Sequence, residues 1–217
     1  MSLKLIIGNK NYSSWSLRPW IAMRQAGLDF TDEVIPLYEP GSAEKILKYS
    51  PTGKVPVLID GDIVVWESLA ILDHLAERFP KAQLWPSVPK ARAQARAVSA
   101  EMHAGFVPLR RHCPMNMRRL HKKRELTAEV AADVRRIERI WTECRERFGA
   151  GGPFLFGAFS NADAMYAPVV SRFASYAIGV GAAAEQYMAA VMALPAWKEW
   201  REAGIAEPWV MPNNELD

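Results

Sequence analysis

The hydrophobic pattern changes character near Lys90. Before it, short apolar runs alternate with helix-like stretches; after it, only helical spacing recurs. Leu3-Lys4-Leu5-Ile6-Ile7 reads as a buried strand ending at Gly8, and Asn9 to Ser14 is polar and turn-like. From Trp15 to Ala26, Leu17, Trp20, Ile21 and Met23 fall at helical spacing, with Gly27 as the stop. Pro19 is expected in that helix's first turn, where its missing N–H costs nothing. Phe30 to Leu37 predicts a second strand and Ala43 to Lys48 a short helix. Val57 to Asp60 and Ile63 to Trp66 predict a hairpin around Asp60-Gly61-Asp62. Glu67 to Phe79 predicts a helix with Leu69, Ile71, Leu72, Leu75 and Ala76 turned inward.

Pro80 to Pro89 holds three prolines and no periodicity, the composition of a linker. Lys90 to about Leu120 predicts one long helix, bent or interrupted near Pro108 and Pro114. Thr127 to Phe148 predicts another, with Val130, Val134, Ile137, Ile140, Trp141 and Cys144 on one face. Ser160-Asn161-Ala162-Asp163 is a capping box opening a helix from Ala162 to Ile178. Shorter helices at Ala183 to Met192 and Ala196 to Ala203 precede an irregular tail. The order predicts an α/β domain with a four-stranded mixed sheet over residues 1–80, a linker at 81–89 and an all-helical domain over 90–217.

Composition narrows the function classes. A chain of 217 residues is comfortable for two small domains, and a net charge of +3 is too small to imply a polyanionic partner. Arg110 to Arg124 carries seven Lys/Arg, two His and no acid, but Pro114 interrupts it and no nucleic-acid-binding module surrounds it. It reads as a solvated helix end and loop. Cys113 and Cys144 stand far apart, with no CxxC and no histidine cluster, so neither a disulfide framework nor a metal site is expected and a reducing cytoplasm fits. Met1 to Gly8 reads as a strand rather than a signal peptide, and no apolar stretch has membrane-spanning length.

The chemistry concentrates in Gly53-Lys54-Val55-Pro56-Val57-Leu58 and in Glu67-Ser68 beyond it. Proline cannot donate to a sheet ladder, so Pro56 belongs at a strand start or edge. A cis bond there would leave the Val55 N–H and C=O free to pair with an extended peptide. Glu67 and Ser68, at a helix start, would offer a carboxylate, a hydroxyl and backbone N–H groups to that peptide's charged end.

These residues, with the linker and the Ser160 to Asp163 capping box, resemble the cytosolic glutathione transferases over nearly the whole chain. The resemblance implies a thioredoxin-like first domain, an all-α second domain, glutathione as co-substrate with no tightly bound cofactor, a small electrophile in the cleft between domains, and a homodimer. Tyr12-Ser13-Ser14-Trp15-Ser16-Leu17-Arg18 resembles the serine-type start of the zeta class, and Glu101-Met102-His103-Ala104-Gly105-Phe106 the fourth-helix stretch of the beta class. Beta-class members use a reactive cysteine, and no cysteine lies near Ser13. Superfamily is implied; class stays open.

By the resemblance, in which the reactive residue lies five before a basic residue of the first helix, counting back from Arg18 gives Ser13 as the donor to the glutathione sulfur, with Ser14 the alternative, and either is equally a favoured helix cap. Val55, beside Pro56, pairs with the cysteinyl unit, Glu67 and Ser68 hold the γ-glutamyl end, and Lys54 meets the glycyl carboxylate. Glu101 reaches the neighbouring subunit's glutathione. Trp15, His103, Phe106 and Arg110 line the co-substrate pocket, with Arg172 a further candidate. The activity implied is conjugation of glutathione to small hydrophobic electrophiles. An isomerase of the maleylacetoacetate type and a non-catalytic binding module are the alternatives.

Overall fold

The computed structural model describes residues 3–119 and 121–216; Met1, Ser2, Leu120 and Asp217, which bound several of the expected segments, lie outside them. The first part holds β1 (Leu3–Ile7), α1 (Ser14–Gln25), β2 (Phe30–Val34), α2 (Ser42–Leu47), β3 (Val57–Asp60), β4 (Ile63–Trp66) and α3 (Ser68–Arg78). Its sheet has the order β2-β1-β3-β4, with β1 parallel to β2 and antiparallel to β3, so Leu5 lies between Asp32 and Leu58. The alternation of side chains along β1 separates two packed faces. Leu3, Leu5 and Ile7 face α1 and α3, whereas Ile6 joins Ile35, Ile46 and Val57 under α2.

A 3-10 turn at Pro80–Ala82 leads to the helices α4 (Pro89–Ala104), α5 (Val107–His112), α6 (Ala128–Phe148), α7 (Asn161–Ser175), α8 (Ala182–Ala193) and α9 (Pro195–Ala206). The architecture is a thioredoxin-like sheet domain joined to an all-α unit. One continuous core runs from β1 and α1 through α7 to Trp197 and Trp200 of α9. The six residues assigned to one face of α6 are all buried. No helix among the described residues is long and apolar enough to cross a membrane.

Three expectations need correction. The long helix from Lys90 is two helices, because Phe106 adopts a left-handed backbone (φ 57°) and ends the first turn sequence after Gly105. Pro108 therefore sits in the opening turn of α5 rather than bending a longer helix. Pro19 falls in the second turn of α1, not the first, so the Trp15 carbonyl loses its i+4 donor. The basic run is not simply solvated. Arg118 donates to the Glu207 and Trp209 carbonyls and to the Tyr12 hydroxyl, and Arg119 stacks on Tyr176.

Candidate active site

The start of α1 is built from hydroxyls. Ser13 is its N-cap, accepting from the Ser16 N–H at 3.4 Å and donating its own hydrogen to Ser16 Oγ at 2.8 Å. Ser16 Oγ also accepts from the Gly8 N–H, which ties the helix start to the end of β1. Ser14 is placed differently. Its Oγ accepts from Nη2 of Arg172, 3.3 Å away on α7. Both serines are nearly buried, yet both border a cavity of about 820 Å³.

The second wall comes from the sheet. The Val55–Pro56 peptide is cis, as the peptide-edge reading required, and it precedes β3. Among the described residues the Val55 main chain makes no backbone hydrogen bond, so both its groups are available to an extended ligand. Lys54, Val55, Pro56, Glu67, Ser68 and Trp15 border a second cavity of about 220 Å³, which shares Trp15, Lys54 and Val55 with the first. Glu67 makes the turn from β4 into α3 in a single residue at φ 66°. A side chain in that region costs roughly 1–3 kcal/mol, a price met most often at functional positions. Ser68 opens α3, and its Oγ accepts from Nη1 of the buried Arg18 at 3.4 Å.

The helical side supplies the third wall. Trp15 carries the Arg18 and Arg110 guanidiniums against its ring, at 4.1 and 5.1 Å from the centroid. Arg110 and Arg172 both border the large cavity, together with Tyr12, Pro114, Met115, Met211 and Asn214. No carboxylate among the described residues lies within 4.0 Å of Arg18, Arg110 or Arg172, leaving a cluster of positive charge beside the cavity. Burial, with the neighbouring Arg110, pulls the Arg172 guanidinium down to about 10, so it remains charged at neutral pH.

Three expected site residues, two of the co-substrate pocket and one assigned to the neighbouring subunit's glutathione, border neither cavity. His103 borders neither cavity; it packs edge-on against Trp15, and its Nε2 lies 3.6 Å from Glu67. Burial and the nearby Arg18 hold its pKa below the ordinary value, against the pull of Glu67. Phe106 is core, buried beside Leu109 and Met102 by the left-handed turn that redirects the chain. Glu101 points to α6, where Nε and Nη2 of Arg136 grip both its oxygens at 2.7 and 2.8 Å.

The sequence reading missed the tail. Met211 and Asn214 close one side of the large cavity. Arg118 and Tyr12 fasten this segment, with Glu215 accepting from the Tyr12 hydroxyl and from Asn116 Nδ2. The sequence marks it only as an irregular, proline-containing tail. Arg118→Ala is expected to loosen this wall of the cavity, read as several-fold faster hydrogen exchange over residues 208–216 with the rest of the chain unchanged.

A cis-proline edge before β3, a helix start after β4 and a serine-capped α1 enclose a site open to an extended peptide on a thioredoxin-like sheet, completed by helices. Comparison with known proteins agrees. Residues 12–78 match the family "Glutathione S-transferase, N-terminal domain" and residues 127–203 the family "Glutathione S-transferase, C-terminal domain". The chain belongs to the cytosolic glutathione S-transferase superfamily. A probable maleylacetoacetate isomerase of Caenorhabditis elegans is 35% identical over 97 residues, 45% of each chain. Glutathione S-transferase 1 of Dianthus caryophyllus is 33% identical over 114 residues, 52% of each. These matches span about half the length of those relatives. A glutathione transferase homolog from Burkholderia, solved with bound glutathione, shares the fold at a TM-score of 0.69, with 21% identity and coverage of 95% of this chain and 100% of that one.

Proposed function

We propose that the protein is a glutathione-dependent enzyme that adds the glutathione thiolate to small hydrophobic electrophiles. The observation that carries this reading is the junction of the two cavities at Trp15, Lys54 and Val55. A γ-glutamyl end at Glu67 and Ser68 and a cysteinyl unit on the Val55 main chain direct sulfur toward the serines of α1. Lys54 meets the glycyl carboxylate. A free thiol with pKa near 8.5 is only a few per cent ionised at pH 7. A hydroxyl donor at the positive end of α1, beside the buried arginines, favours the thiolate.

The electrophile occupies the larger cavity between α1, Pro114, Met115 and the tail. Its cationic wall, Arg110 and Arg172, supports a second reading in which the partner is an unsaturated dicarboxylic acid that is isomerised rather than conjugated. Parallel assays with a neutral aryl halide and with such an acid separate the two. A homodimer is expected from the family and is consistent with the apolar exposure of Ile63, Val64 and Trp66 on the edge strand β4.

Isothermal calorimetry with glutathione tests the core of the proposal. Ser68→Ala is expected to weaken binding roughly 10- to 100-fold, the value of a hydrogen bond to a charged group. Wild-type protein that binds no glutathione would sink the reading.

A further inference from the structure

Arg172 is nearly fully buried, yet it forms no ion pair among the described residues. Its Nε donates to the Cys113 carbonyl at 2.9 Å and its Nη1 to the Pro168 carbonyl at 3.2 Å. These two bonds fix the plane of the guanidinium and aim Nη2 at Ser14 Oγ. A fixed orientation of this kind is inexpensive for arginine, whose fork is rigid.

The two candidate serines differ in where their hydrogens go. Ser13 gives its hydrogen to Ser16 Oγ and takes the Ser16 N–H, so it is committed to capping α1. Ser14 accepts from Arg172, and its own hydrogen has no acceptor among the described residues. A hydroxyl whose lone pair is held by a cation is the stronger donor, because the bonds polarise one another. The cation also adds to the positive end of α1, where an anion is already favoured.

We propose that Arg172 is a positioning residue that makes Ser14, rather than Ser13, the hydroxyl donor to the glutathione sulfur. This rests on the reading of the joined cavities as a glutathione site. The thiol proton leaves to solvent, Ser14 keeps its own hydrogen and directs it to the thiolate, and no bond to serine forms. Arg172 holds that hydroxyl in place and supplies a fixed charge behind it. Ser13 keeps the helix start folded.

The thiolate absorbance of bound glutathione, titrated against pH, reads the proposal directly. Ser14→Ala is expected to raise the apparent thiol pKa by about one unit, a tenfold loss of thiolate, and Ser13→Ala by clearly less. Arg172→Met is expected to raise it similarly, Arg172→Lys to restore part of the shift, and the double variant Ser14→Ala/Arg172→Met to fall short of the sum.

Because Arg172→Met removes three buried hydrogen bonds, a second readout avoids it. Ser14→Cys places a thiol beside Arg172, and its alkylation rate against pH gives its pKa without glutathione. The native thiols do not compete, since burial pushes Cys113 up to about 11 and Cys144 up to about 12. The Ser14→Cys thiol is expected well below 8.5, the Ser13→Cys thiol nearer to it, and Arg172→Lys in the Ser14→Cys background is expected to shift the first. A Ser13→Ala titration that moves while Ser14→Ala does not overturns the proposal and leaves the glutathione site standing. So does an ordinary thiol pKa at Ser14→Cys. Failure of the wild type to bind glutathione removes the site itself and the proposal with it.

Discussion

Asp163→Ala is expected to lower the thermal midpoint by about 10 °C. Asp163 is fully buried at the start of α7. Its Oδ1 accepts from the Leu155 N–H at 3.0 Å, and its Oδ2 from the Ser160 N–H at 2.8 Å and the Ser160 hydroxyl at 3.0 Å. Truncation strands three buried donors, each costing roughly 1–3 kcal/mol when unpaired. A total of about 3–5 kcal/mol converts to that midpoint shift at ~2–4 °C per kcal/mol for a chain of this size. Asp163→Asn keeps one acceptor oxygen and is expected to fall between.

The same residue carries a pH signature of opposite sign to a surface ion pair. Burial pushes its carboxyl up to about 6, against the pull of the Leu155 and Ser160 N–H groups. The unfolded chain releases the proton near 3.9, so between about pH 4 and pH 6 the folded state binds more protons. Stability from this group therefore falls as pH rises through that window. The gap between wild type and Asp163→Ala is expected to narrow from pH 4 to pH 7. A gap that widens would show that the carboxyl is ionised throughout, and a midpoint within 2 °C of wild type would show that α7 does not depend on its cap.

Asp163 was legible in the sequence because a capping box is a local pattern, four residues long, with its own hydrogen-bond logic. The apolar face of α6 was legible for a related reason, since period 3.6 reports burial without knowledge of the partner. The hairpin at Gly61 also follows from near neighbours. The position of the helix break, at Phe106 rather than at Pro108, was not legible. A phenylalanine in left-handed backbone carries no glycine or asparagine signal, and its reward is burial in a core assembled from α4, α5 and α7.

The site divides along the same line. In the proposed function its glutathione-facing half, from Val55 to Ser68, lies in one short stretch whose spacing is fixed by a hairpin. The acceptor half depends on Arg172, Met211 and Asn214, residues brought to Ser14 and Trp15 only by the packing of α7 and the tail against α1. His103 shows that a motif places a residue on its helix but does not fix its partner. The residue lies beside Trp15, as a pocket histidine would, but turns to Glu67 on the other domain.

Arg18→Met is expected to move stability and binding in opposite directions. Arg18 is wholly buried, and its one hydrogen bond is the 3.4 Å contact to Ser68 Oγ. Its Nε and Nη2 have no acceptor among the described residues. Burial drives its pKa well down, and Arg172 and Arg110 push it further. A buried cation so poorly compensated is often replaced by an apolar side chain at no cost or with a gain of about 1–4 kcal/mol. Methionine keeps the stem packed on Trp15, so the thermal midpoint is expected to rise by a few degrees. Glutathione, an anion at neutral pH, loses the charge behind Ser68, and its Kd is expected to rise about tenfold. Unfolding scans and calorimetry on one preparation measure both. A loss of stability would make Arg18 a structural residue, and an unchanged Kd would place the glutathione charge away from Ser68. The expected pairing, a firmer fold with a weaker site, identifies this buried charge as one that the fold tolerates because the ligand needs it.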